Sequence, residues 1–190
     1  MRHGPFLGST KRNRTMGLDI WAISNCIEAR DKRMSALRRV EKIGVGQLEE
    51  ILDLDKVSAK WWHGLKPGTW FRTPGSVETR ARLGSYSYWS RWCHRTAEIL
   101  AEAGLTDTGY ITKLLNHNSS GGGFGAAACN GLALEMQSLR RPVEKFLRSN
   151  YQVVALGGKL GPDDLDYLET WHVLERHCRL GAQHGLLFFE

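Results

Sequence analysis

The residues Gly17–Asn25, GLDIWAISN, alternate Leu18, Ile20 and Ala22 with Asp19, Trp21 and Ile23. A short β-rich run at period two, bounded by Gly and Asn, predicts a strand. The apolar run GLLFFE at 185–190 predicts another, and it is expected to pair with the first because no nearer strand is open to it. In between, TWFRT and VETRARL flank Pro74-Gly75 and predict the two strands of a central hairpin. A turn at Pro67-Gly68 separates Trp61-Trp62 from Trp70.

Three longer stretches change to helical spacing. Tyr88, Trp89, Trp92, Thr96, Ile99, Leu100 and Ala103 recur at intervals of three and four and end at Gly104, where a helix-terminating glycine belongs. A second stripe runs from about Gly125 through Cys129, Leu132, Ala133, Met136, Leu139 and Val143 to Phe146 and Leu147, with Pro142 expected to kink or interrupt it. A third opens at GPDD, where Pro162 suits the first turn and Asp163 and Asp164 suit the positive end of the dipole; Tyr167, Trp171, Leu174, Cys178 and Gly181 form its stripe. A further amphipathic helix is expected in EARDKRMSALRRVEKIG, with Met34, Leu37 and Val40 beneath a basic face of Arg30, Lys32, Arg33, Arg38, Arg39 and Lys42. Strands near both ends, a central hairpin and no regular βαβ alternation predict an α+β fold, in which a small, mostly antiparallel sheet is covered on one face by three main amphipathic helices.

Charge modifies this picture little. The chain of 190 residues has a net charge of +6, but Arg2, Lys11, Arg12 and Arg14 account for four of those charges before Met16, where there is no acid. Residues 16–190 are nearly balanced and long enough for a single domain with its own core. Residues 1–15 read as a disordered basic tail without the apolar run of a signal peptide. The basic face at 30–42 is followed by acidic EEILDLD, so it reads as a solvated surface, and nucleic acid is an unlikely partner. Cys26, Cys93, Cys129 and Cys178 are scattered and read as free thiols in a reducing, cytoplasmic setting. No apolar run reaches the ~20 residues of a membrane span, so no membrane partner is expected.

The candidate chemistry lies at two turns that each lead into a helix. In LGSYSYWSRW, Arg82 ends a strand and Gly84-Ser85-Tyr86-Ser87 delivers the chain into the first helix, with Arg91 one turn further on. Unpaired N–H groups, serine hydroxyls and a guanidinium fork together outline a site for a phosphate or carboxylate. In a simpler reading of the same residues, Ser85 or Ser87 is only a helix cap, Tyr86 and the tryptophans fill the core, and Arg82 pairs with a carboxylate. The second turn, HNSSGGGFG at 117–125, is a glycine-rich loop with Ser119, Ser120 and Gly122. Its N–H groups could wrap an anion, although it lacks the lysine of a nucleotide-binding P-loop and also reads as a flexible connector. If the two helix starts converge at one end of the sheet, a nucleotide or other phosphorylated small molecule fits between them, with Trp89 available for stacking.

MGLDIWA, the ARLGSYSYWSRW segment, the HNSSGGGFG loop and the terminal WHVLERHCRLGAQHGLLFFE together resemble a family of small phage and bacterial proteins. Its members begin MGLDI and carry a central arginine, glycine, serine-tyrosine-serine and arginine-tryptophan segment. The resemblance covers most of residues 16–190 and is thin at 28–66. Relatives often place acidic residues where this chain has Asn118 to Gly123. The family has no established activity, so the resemblance implies the extent of the domain and a phage or bacterial context, and no mechanism.

Metal and nucleophile patterns point the other way. Cys93-His94 and His177-Cys178 are adjacent pairs, His172 and His177 lie five apart, and no CxxC, HxxxH or HExxH occurs, so no metal site and no cofactor are expected. Cys93 and Cys178 fall on apolar stripes, where a thiol is buried and inert. No nucleophile–base pair can be named, which leaves enzymatic activity open. The sequence therefore predicts a small binding protein for an anionic or nucleotide-like ligand held by Arg82, Ser85, Tyr86, Ser87, Arg91, Ser119, Ser120 and Gly122. The alternative is an interaction module that engages a host or viral protein through exposed aromatic residues.

Overall fold

A computed structural model describes residues 18–29, 51–53, 60, 62–65, 70–72, 77–105, 109–117, 121–149 and 160–189. The expected tail at 1–15, the basic face at 30–42 and the serines Ser119 and Ser120 lie outside the described residues. The fold is α+β. Its strands are β1 (Leu18–Ile23), β2 (Ile27–Ala29), β3 (Ile51–Asp53), β4 (Trp62–His63), β5 (Trp70–Arg72), β6 (Glu78–Gly84), β7 (Gly123–Gly125) and β8 (Leu186–Phe189). Its helices are α1 (Tyr86–Glu102), α2 (Gly109–Leu115), α3 (Ala126–Ser149) and α4 (Pro162–Gly181).

The main sheet has the order β4-β7-β8-β1-β6. β7, β8, β1 and β6 run antiparallel to their neighbours, and β4 joins β7 in parallel. The first and last strands pair as their apolar runs require, Ile20 opposite Phe189 and Ile23 opposite Leu186. The expected central hairpin does not form. β5 lies between β2 and β3 in a separate three-stranded sheet, and β6 pairs with β1 instead. Pairing with β1 gives Thr79, Ala81 and Leu83 the same face as Ala22, Ile20 and Leu18, so long-range burial outweighs the local turn signal at Pro74-Gly75. Glu28 and Ala29, the expected start of the basic helix, belong to β2.

Leu18, Ile20, Ala22, Phe124, Leu187 and Phe189 share one core with the apolar stripes of the four described helices. The other face is not bare: Trp21, Ile23 and Leu186 are buried there, with Cys26, Leu65 and Phe188 packed against them. Trp21 donates its indole N–H to Glu78, 3.1 Å away, and lies under the Arg80 guanidinium at 4.4 Å.

α1 and α4 follow their stripes. Trp89, Trp92, Thr96, Ile99 and Leu100 of α1 are buried, as are Tyr167, Trp171, Leu174, Cys178 and Gly181 of α4. Trp92 stacks on Tyr167 at 5.5 Å, the Tyr167 hydroxyl lies 2.8 Å from that of Thr96, Arg95 pairs with Asp164, and Tyr88 donates to the Asp166 carbonyl at 3.0 Å. Pro142 does not interrupt α3, which runs for 24 residues. Proline removes one backbone donor, and the buried side chains of Leu139, Val143 and Leu147 hold the helix on both sides of it.

Candidate functional site

At the first turn, β6 ends at Gly84 and Ser85 takes the N-cap position of α1 in extended backbone, φ −78° and ψ 161°. The Ser85 Oγ accepts the Tyr88 N–H at 3.1 Å and lies 2.8 Å from the Ser87 Oγ. One hydroxyl thus performs the capping role, and the Ser85–Ser87 pair stays exposed. Tyr86 and Arg91 are exposed as well. Arg91 stands four residues after Ser87, so the two share a helix face. Arg82 is half exposed and lies 3.9 Å from the Asp19 carboxylate on β1, a distance of ion pairing without a hydrogen bond. Trp89 is unavailable for stacking on a ligand: it is buried and stacks on Trp92 at 5.1 Å.

The helix starts differ in what answers their positive end. The N–H groups of Tyr110 and Ile111 in α2 are taken by the two Glu135 oxygens, at 2.9 and 2.7 Å. α4 carries Asp163 and Asp164 in its first turn. α1 has no acidic residue in its first turn, and exposed arginines flank it.

The second turn is built differently from its sequence reading. Gly123, Phe124 and Gly125 do not form a loop; they form β7, an interior strand of the sheet. A Cβ on Gly123 would stand 1.9 Å from the Leu187 carbonyl oxygen, so the glycine is needed for close approach of two backbones. Gly122, at φ +97°, accepts the Phe189 N–H with its carbonyl at 3.0 Å. The register also separates the two helix starts. Gly84, just before α1, lies opposite Leu18, whereas Gly125, just before α3, lies in the row of Leu186 and Ile23. Five steps of about 3.3 Å divide those rows, so the helix starts sit at opposite ends of the sheet. Gly122, in the row of Phe189 and Ile20, lies nearer the Arg82 end. Two strands separate β7 from β6.

A feature absent from the sequence reading sits where the glycine segment begins. His117 is 6% exposed, and its Nδ1 faces the Nε2 of His63 on β4 at 3.3 Å. The His63 ring packs on Phe124 at 4.5 Å, and the His117 ring packs on Phe189 at 4.7 Å. Burial, reinforced by the neighbouring His63, pulls His117 down to about 4, and burial with Lys113 lowers His63. The two histidines are 54 residues apart, with no motif to link them.

Burial pushes the thiols of Cys93 and Cys129 up to about 12 and raises that of Cys178 well above the ordinary thiol value, which leaves little thiolate for nucleophilic chemistry. Among the described residues no three His, Cys, Asp or Glu side chains gather around a common point for a metal ion, and no helix is long and apolar enough to cross a membrane. Comparison of the chain with family models, curated proteins and solved structures finds no match.

Proposed function

We propose that the protein binds an anionic group, of the phosphate or carboxylate class, at the start of α1. The observation that carries this reading is the exposure of Arg82, Ser85, Ser87 and Arg91 around a helix start with no carboxylate in its first turn. Backbone N–H groups ahead of the first intrahelical acceptor favour negative charge, and a guanidinium adds directional donors. Asp19 is one internal competitor for Arg82, so the ligand has to displace a long ion pair at 3.9 Å. Tyr86 offers the exposed ring of the site.

Docking of a host or viral protein on exposed aromatic residues has less to support it. Trp21, Trp89, Trp92 and Trp171 are buried, and the side chains of Trp61, Trp62 and Trp70 lie outside the described residues. Titration of the protein with inorganic phosphate and with a nucleoside monophosphate, followed by amide chemical shifts, tests the proposal. Shifts confined to residues 84–91 and abolished in the Arg82→Ala, Arg91→Ala double variant are expected. No shift in this segment, or an unchanged response in the double variant, overturns it.

A further inference from the structure

We propose that His63 and His117 form an acid-operated latch at the edge of the main sheet, which holds β4 on β7 while both rings are neutral and releases it when they are charged. β4 is the outermost strand of that sheet among the described residues, and just two residue pairs, Trp62 with Gly123 and His63 with Phe124, hold it in the ladder. Such a short edge needs side-chain contacts to stay closed, and the His63 ring supplies them by packing on Phe124 and facing His117.

At neutral pH one ring nitrogen donates and the other accepts, so a single proton lies between Nε2 of His63 and Nδ1 of His117. The first added proton makes one ring an imidazolium that still donates to the other; the second charges that ring too, removes the acceptor and sets two cations 3.3 Å apart against Phe124 and Phe189. From α2, Lys113 adds a further positive charge that acts on His63; β7 and β8 contribute the phenylalanines, and the backbone of Gly121 contributes a hydrogen bond to His117. Charge repulsion and lost hydration therefore act in the same direction, towards opening. Of the two strands, β4 is the one that can part from the pair, because β7 is also paired with β8 on its other side, while Leu65 beyond β4 packs with Trp21 and Leu186. Release turns the β7 edge into an unpaired strand edge able to accept another chain. The downward displacement of both histidines places the transition between the ordinary histidine value of 6.5 and about 4.

Amide hydrogen exchange resolved by residue tests the latch. Between pH 7 and pH 4.5, after correction for intrinsic exchange chemistry, protection of the amides in 62–65 and 123–125 is expected to fall at least tenfold, while the β1–β6 ladder changes less than twofold. Two double variants that leave no titratable ring at the seam, His63→Phe with His117→Phe and His63→Gln with His117→Phe, should each reduce the acid effect to less than twofold. A wild-type protein that keeps its protection at pH 4.5, or variants that lose it as the wild type does, overturns the proposal.

Discussion

Gly84–Ser87 and Gly121–Gly125 resemble one another in sequence: small residues, then a long helix. In the fold they are opposites. The first is an exposed rim whose serine caps α1 and whose arginines face solvent. The second is buried, and its glycines let two backbones touch. Glycine before a helix thus has two unrelated physical causes, and burial decides between them.

The sharpest way to break this contrast is Gly123→Ala. The added methyl meets the Leu187 backbone at 1.9 Å with no flexible side chain to yield, so a loss of about 3 kcal/mol or more is expected in urea melts. A near wild-type midpoint would show that the seam has room. Acid comes next. A histidine held below its ordinary value contributes stability that is complete above about pH 6.5 and is lost as pH falls towards about 4, because the unfolded chain takes up the proton first. Wild-type urea stability, measured against His117→Phe to cancel the carboxylates, should drop by about 2 kcal/mol over that window. A constant difference between the two proteins contradicts the neutral buried pair.

Ser85→Ala removes the acceptor for the Tyr88 N–H and is expected to cost about 1 kcal/mol, with Ser85→Asp restoring most of it. An unaffected melt would mean that Ser87 takes over the cap. The smallest effect belongs to Arg82→Ala. A half-exposed arginine 3.9 Å from Asp19 should change stability by less than about 0.5 kcal/mol, while binding of phosphate falls sharply. A loss of about 3 kcal/mol would instead assign Arg82 a buried structural role.

Much of the fold was legible wherever side chains carry a period. Leu18 to Ile23, the stripes of α1 and α4, Pro162 with its two aspartates, and the pairing of the terminal strand with β1 all follow from apolar spacing and end signals. Legibility failed where there was no side chain to read or where distance decided. β7 has one side chain in three residues, so no alternation betrays it. The turn signal at Pro74-Gly75 was local, whereas the partner of β6 was chosen by the core. At the α1 rim the residue types were legible and their exposure was not. The clamp of Glu135 on α2 and the meeting of His63 with His117 join residues with no common spacing, so pattern alone could not reveal them.

The strand order carries a consequence for how the protein is made. β8 follows every other described element, yet it occupies the middle of the sheet, between β7 and β1. During synthesis on the ribosome the sheet can exist only as two separated halves, β4 with β7 and β1 with β6, each with an open apolar border. Closure waits for residues 186–189 to emerge, and then joins segments about 170 positions apart in one step. A chain ending just short of Leu186 would hold all four described helices and still lack a completed core.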